Sequence, residues 1–233
     1  MAVPAEFLGA SMSRPSVVVF DVNETLSDMS PMGRRFAEVG APEHLAKLWF
    51  ATLLRDGFAL TAAGGQRPFA EVGVCALRTV LHGLDLDREL DAAVEHVMSG
   101  MAQLSVHPDV PEGVRALHRS GRRLVTLTNG ATELGERLLG EAGIRAEFER
   151  LLSVEDAPAW KPARGAYEYA ARMCGVELGD MLLVAVHPWD VDGAARAGMT
   201  TAWINRTGMT YPDCFTSPTV TVTDLTELAG RLP

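Results

Sequence analysis

Two carboxylates, a lysine, two hydroxyls and two amides recur in this chain at one kind of place, just beyond the end of an apolar run. Asp21, Asn23 and Thr25 follow Val17-Val18-Val19-Phe20, and Thr128 and Asn129 close the run that starts at Arg123. Lys161 lies beyond the short run at Leu151, and His187, Trp189 and Asp190 follow Met181 to Val186. Unbroken β-branched and aromatic residues predict strands covered on both faces, as in parallel sheets. The carboxyl ends of such strands share a crevice in which ligands bind. Gathered there, these groups supply a nucleophile, an anion clamp and a water activator. Singly they say less. Asp21 reads as a nucleophile, a metal ligand or an acidic residue opening a loop. Lys161 also reads as a solvated lysine, Thr128-Asn129 as a turn, and Asp190 as the N-cap of the next helix. Tyr167 and Trp189 also read as core aromatics, and His187 as a structural histidine.

The elements that must position these groups follow from periodicity. Between Pro31 and Gln103 apolar residues fall at three- and four-residue steps, which predicts helices over Glu43 to Arg55, Pro68 to Leu81 and Asp87 to Met101. Gly64-Gly65 and His82-Gly83 separate them. From His107 onward strands and helices alternate. Strands are expected over Arg123 to Asn129, Glu149 to Ser153, Met181 to Val186, Thr200 to Ile204 and Thr219 to Val222. Helices are expected over Glu112 to Arg119, Thr132 to Ala142, Arg164 to Cys174 and Val191 to Ala197. This alternation predicts an α/β fold, a Rossmann-like doubly wound parallel sheet joined by right-handed crossovers. The domain reading is a flexible N-terminal tail over 1–15, the α/β core over 16–30 and 106–233, and an α-helical cap over 31–105, standing over the sheet's catalytic edge.

With 233 residues, 47% hydrophobic and 22% charged, the chain can bury a sizeable core. A net charge of -9 without clustered Lys and Arg excludes nucleic acid as an expected partner. Cys75, Cys174 and Cys214 are too widely spaced for a disulfide framework or a zinc site. Each is expected as a packed small apolar residue in a reducing, cytoplasmic setting. No stretch reaches the roughly 18 apolar residues of a bilayer span, and the first fifteen residues lack the order of a signal peptide. No membrane partner is expected.

Asp21 to Leu26, Thr128-Asn129-Gly130, Trp160-Lys161-Pro162 and Trp189-Asp190 with Gly193-Ala194 resemble, in order, the four motifs of the haloacid dehalogenase superfamily. They look most like its type II 2-haloacid dehalogenases, as does Trp203-Ile204-Asn205-Arg206-Thr207-Gly208. The likeness spans nearly all of the chain after Val17. It implies hydrolysis of a short 2-haloacid to a 2-hydroxyacid, with no metal or other cofactor, a small-molecule carboxylate as partner, and a homodimer left open. Asp21 would form an ester with the substrate and Asp190 would activate the hydrolytic water. Lys161 would keep Asp21 ionised, and Thr25 and Thr128 would position Asp21 and the substrate carboxylate. Asn129 would donate near the departing halide. Val22, Asn23, Trp49, Phe50, Tyr167, His187 and Trp189 would bind substrate, under a mobile cap.

Departures from the pattern sharpen the reading. Phosphatases of the superfamily have an Asp two residues after the nucleophile and acidic magnesium ligands near the fourth strand. Here those places hold Asn23 and Val186. An amide cannot protonate a leaving group, and Val186 offers magnesium no oxygen. Halide needs neither device. The dehalogenases also carry a cap arginine after a Leu-Trp pair, where this chain has Phe50 after Leu48-Trp49, and Ala185 and His187 stand in place of a serine and an asparagine. Arg55 lies about 140° round a regular helix from Phe50, and Arg34 and Arg35 are the other candidates for a substitute. Two further readings stay open: a magnesium-dependent phosphatase, and a non-catalytic binder of small acids.

Overall fold

The computed structural model describes residues 15–232. The tail expected over 1–15 therefore lies outside the described residues, apart from Pro15.

Val17-Val18-Val19-Phe20 forms β1 (Val17–Phe20), buried on both faces as its β-branched and aromatic side chains require. It pairs in parallel with β2 (Arg123–Thr128) on one side, and β3 (Arg150–Ser153) continues that side. On the other side stand β4 (Met181–Ala185), β5 (Thr200–Ile204) and β6 (Val220–Val222), in a six-stranded order β3-β2-β1-β4-β5-β6. The chain builds outward from β1 to β3, then restarts at β4. The topological switch, where a crevice opens at the strands' carboxyl ends, therefore lies between β1 and β4. Asp21 stands at that point, its N–H still bonded to the Val184 carbonyl at 3.0 Å.

Four helices intervene between β1 and β2: α1 (Met32–Ala37), α2 (Leu45–Ala62), α3 (Phe69–Leu81) and α4 (Leu90–Met101). Their chain leaves and returns through one paired neck. Ser27 bridges Val106, Asp28 N–H donates to the Ser105 carbonyl at 2.8 Å, and His107 N–H donates to the Leu26 carbonyl at 2.9 Å. Helix α2 runs past the expected end at Arg55, because Gly57 is a packing site there and not a stop. A Cβ on Gly57 would stand 2.2 Å from the Trp160 ring, so only glycine lets the loop bearing Lys161 lie against this helix. Helix α1 was not expected. It has six residues, too few for a periodic signal, and buries Met32 and Phe36.

After β2 come α5 (Val110–Arg119), α6 (Thr132–Glu141), α7 (Arg164–Cys174), α8 (Pro188–Ala197) and α9 (Leu225–Arg231). Val18 and Phe20 of β1 face Val114, Leu117 and the equally unexpected α9, through Leu225 and Leu228. Val17 and Val19 face the opposite layer, where α7 and α8 meet the apolar interior of the four-helix block. Helices on both faces make this the doubly wound α/β architecture. Cys174 is buried as expected, whereas Cys75 and Cys214 are exposed, so the packed reading fails for two of the three.

Candidate active site

Asp21 is presented by a tight turn. Leu26 and Ser27 N–H both donate to the Val22 carbonyl at 2.9 and 3.0 Å, which brings Thr25 back over the strand end. The Thr25 hydroxyl donates to Asp21 Oδ2 at 2.7 Å and accepts the Val186 N–H at 3.0 Å, tying the ends of β1 and β4 together. Arg206, just past β5, donates to the Thr25 carbonyl at 3.0 Å and pairs with Asp109 at 2.7 Å. It holds this turn from below, a role that the string around Trp203 did not disclose.

Lys161 is fully buried, and its ammonium bridges Asp21 Oδ1 at 2.9 Å and Asp190 Oδ2 at 2.6 Å. Asn129 fixes the backbone beneath it, accepting Lys161 N–H at 3.0 Å and donating to the Lys161 carbonyl at 3.2 Å. The amide expected near a departing halide is thus engaged in holding the lysine. Thr128 Oγ accepts the Gly130 N–H at 3.0 Å, which leaves its own proton to donate elsewhere. Asn23 is half-buried, and a Cβ on Gly130 would lie 3.7 Å from its Nδ2, so Asn23, Thr128 and Gly130 form one small polar cradle.

Asp190 lies in the first turn of α8, whose N-cap is His187. The capping role is therefore not its own. Its carboxylate is completely buried and is held by Lys161 and by the Tyr167 hydroxyl, which donates to Oδ1 at 2.7 Å. Gly193, one turn on, lets this happen. A Cβ there would lie 2.6 Å from Pro162 Cβ and 2.7 Å from the Tyr167 hydroxyl. Gly193→Ala is expected to cost about 1–3 kcal/mol by overpacking and to push Tyr167 off Asp190. A lower Tm together with reduced activity checks this, and an unchanged Tm would contradict the close approach.

His187 bridges two carboxylates: its Nδ1 is 3.2 Å from Asp21 Oδ2 and its Nε2 is 2.8 Å from Glu24 Oε2. Burial disfavours its charge, but the bonds to Asp21 and Glu24 prevail and raise it to about 9, so at neutral pH both ring nitrogens donate. Glu24 was not among the expected site residues. A signal was its place in the turn beside Asp21. Burial likewise opposes ionisation of Asp21, yet Lys161 and then His187 hold its carboxyl far below the usual range. Asp190 is shifted the other way, by burial and by the charge of Asp21, with Lys161 opposing. The two carboxylates are thus differentiated, one firmly ionised and one more ready to take a proton.

The wall over His187 is aromatic. Trp189 stacks on its ring at 4.9 Å, Phe50 of α2 lies 6.4 Å away, and Phe58 meets Trp189 at 5.0 Å. Trp49 is not brought to the crevice; it is fully buried and its indole donates to the Gly73 carbonyl. Arg34, Arg35 and Arg55 do not replace an arginine at Phe50. Arg34 and Arg55 are exposed and paired with Glu38 and Asp56, and Arg35 binds the His96 carbonyl and Ser99.

The residues do not fit magnesium, which needs several oxygen ligands in near-octahedral array. Both Asp21 oxygens are already bonded to Lys161, Thr25 or His187, and Val186 has no polar side chain. Among the described residues no group of three or more His, Cys, Asp or Glu is placed to hold a metal ion, and none of their helices is long and apolar enough to cross a membrane.

An ionised aspartate, a buried lysine and a second carboxylate at the switch crevice of a parallel sheet define an α/β enzyme. The family model for haloacid dehalogenase-like hydrolases matches residues 15–198, and the chain belongs to that family. It is 30% identical over 213 residues to haloacetate dehalogenase H-2 of Moraxella sp. (strain B), covering 91% of this chain and 95% of the relative. It is 30% identical over 211 residues to the (S)-2-haloacid dehalogenase of Pseudomonas sp. (strain YL), covering 89% and 90%. A solved L-2-haloacid dehalogenase, also 30% identical, has the same fold with a TM-score of 0.88 over 94% of this chain and 99% of its own.

Proposed function

We propose that this protein hydrolyses the carbon–halogen bond of a short 2-haloacid through an ester on Asp21, with no metal ion. The observation that carries this reading is the state of Asp21, a buried carboxylate kept ionised by Lys161 and His187 at the mouth of the crevice. One of its oxygens attacks the substrate's α-carbon, a carbon–oxygen bond forms, and halide departs with the bonding electron pair and without a proton. Asp190, the carboxylate more ready to accept a proton, takes one from the water that attacks Cγ of the ester. Lys161 stabilises the negative charge that develops there. The Thr128 hydroxyl and the Asn23 amide, beside Gly130, are the donors available to the substrate carboxylate. The halide meets the positive edges of Phe50 and Trp189 in place of a guanidinium.

Two relatives, 30% identical over most of both chains, are named as haloacetate and (S)-2-haloacid dehalogenases, and a solved relative 28% identical is described as a dehalogenase with intermediate complex. Incubation with chloro-, bromo- and fluoroacetate and 2-halopropionates in EDTA is expected to release halide. Silence across that panel, with the protein folded, would overturn the substrate assignment.

A further inference from the structure

The two oxygens of Asp21 have different surroundings, and the difference assigns a role to the histidine beside it. Oδ1 faces the buried ammonium of Lys161, whereas Oδ2 faces Thr25 and His187, on the side where Phe50 comes down from the helical block. The proposed ester is assigned to Oδ2, the oxygen on the Phe50 side. Breakdown of the ester at Cγ then expels Oδ2 with the product as an alkoxide, a poor leaving group unless protonated. Thr25 is an alcohol, no stronger an acid than the product itself, and Lys161 is bonded to Oδ1 and Asp190. This inference rests on the Asp21 ester proposed above.

We propose that His187 is the general acid of ester hydrolysis: its Nδ1–H protonates the departing Oδ2 alkoxide, and Glu24 holds the imidazole in place for that transfer. The backbone supports the arrangement. Glu24 has φ 61, the left-handed region that costs a residue other than glycine some energy and is retained where surroundings enforce it. His107 Nε2 at 3.0 Å from the Glu24 carbonyl and Ser27 Oγ at 3.3 Å from the Glu24 N–H clamp that conformation. The clamp delivers the Glu24 carboxylate to His187 Nε2, while the same side chain remains 43% exposed and in reach of water.

The step balances. Water adds its oxygen to Cγ and gives one proton to Asp190. The Cγ–Oδ2 bond breaks as Oδ2 takes the Nδ1 proton, releasing the 2-hydroxyacid. The new Asp21 carboxyl, formed with the water oxygen, passes its proton to the neutral His187, and the Asp190 proton goes to solvent. One proton is released per turnover.

Among the described residues the charged groups that meet His187 are Asp21 and Glu24, both from the turn after β1; α2 presents Phe50 and α8 presents Trp189, neither of them titratable. In the ester Asp21 carries no charge, so only Glu24 supports the imidazolium. The alkaline limb of kcat is therefore expected below about 9.

Rapid-quench mass spectrometry with parallel halide detection tests this. His187→Gln keeps a hydrogen-bond donor and loses the transferable proton. It is expected to release one halide per site in a burst, to accumulate the ester, and to lose about 10²-fold or more in kcat. Glu24→Gln, half-exposed and so unthreatening to the fold, is expected to move the alkaline limb of kcat to lower pH. Wild-type kcat in His187→Gln without ester accumulation, or an unmoved limb in Glu24→Gln, overturns the assignment. A wild-type enzyme that forms no ester and releases no halide overturns the proposed function itself, which separates the two failures.

Discussion

Asp21→Asn is expected to reduce halide release by on the order of 10⁴-fold or more, with no ester detectable by intact mass. An amide has nearly the carboxylate's shape but no charged oxygen to form the carbon–oxygen bond. It also turns an N–H donor toward Thr25 or His187, which already donate to that position. Stability changes in a pH-dependent way. Asp21 in the folded protein is held below the usual carboxylate range, so its ionised form contributes stability at pH values above an unfolded carboxyl's pKa of about 3.9, and that contribution is lost as pH falls through the lower folded value. The variant should thus melt below wild type at pH 7 and converge with it in strong acid. Halide release above about one hundredth of the wild-type rate would contradict a covalent role.

The fold was legible because its strands are apolar runs and its crossovers are long helices, both of which leave periodic signals. What escaped was short. Helix α1 and helix α9 each contribute two buried positions, too few to distinguish from a loop. The last turns of α2, through and beyond Gly57, escaped as well. Its glycine is needed by Trp160, more than a hundred residues away in the chain, and no local pattern carries that fact.

The site divides in the same way. Asp21, Thr25, Lys161 and Asp190 each end an element or interrupt a loop, and the structure brings all four within one hydrogen-bonded cluster. Tyr167, in the first turn of α7, joins them through its hydroxyl bond to Asp190. Sequence spacing could not reveal pairings made across the crevice. Glu24 meets His187 only because the turn bends backward at a positive φ, and Asn129 is consumed by the backbone of Lys161. Trp49 is expected to bind substrate and precedes Phe50, but adjacent helical residues point about 100° apart, and of the two only Phe50 turns to the crevice.

Lys161→Met is expected to be the most destabilising single change in the site. The lysine is fully buried and joins two carboxylates that are themselves almost wholly buried, so its removal leaves two like charges facing each other in low dielectric. Breaking such a buried arrangement by removing one partner costs about 3–5 kcal/mol. That corresponds to roughly 2–4 °C in Tm for each kcal/mol in a chain of this size. The pH dependence gives the argument its sign. Without the ammonium both carboxyls are pushed upward in the folded state, so the penalty is full above their folded values and is relieved as pH falls and one takes a proton. The Tm deficit should therefore be large at pH 7 to 8 and shrink toward pH 4 to 5. The direction is the same as for Asp21→Asn but the cause differs, since here the folded variant binds protons that the unfolded chain binds less readily. Adding Asp190→Asn to Lys161→Met removes one of the opposed charges, and should restore most of the Tm while leaving halide release at the level of the single variant. A double variant no more stable than Lys161→Met would mean that the lysine's aliphatic stem, and not its charge, supports this part of the fold.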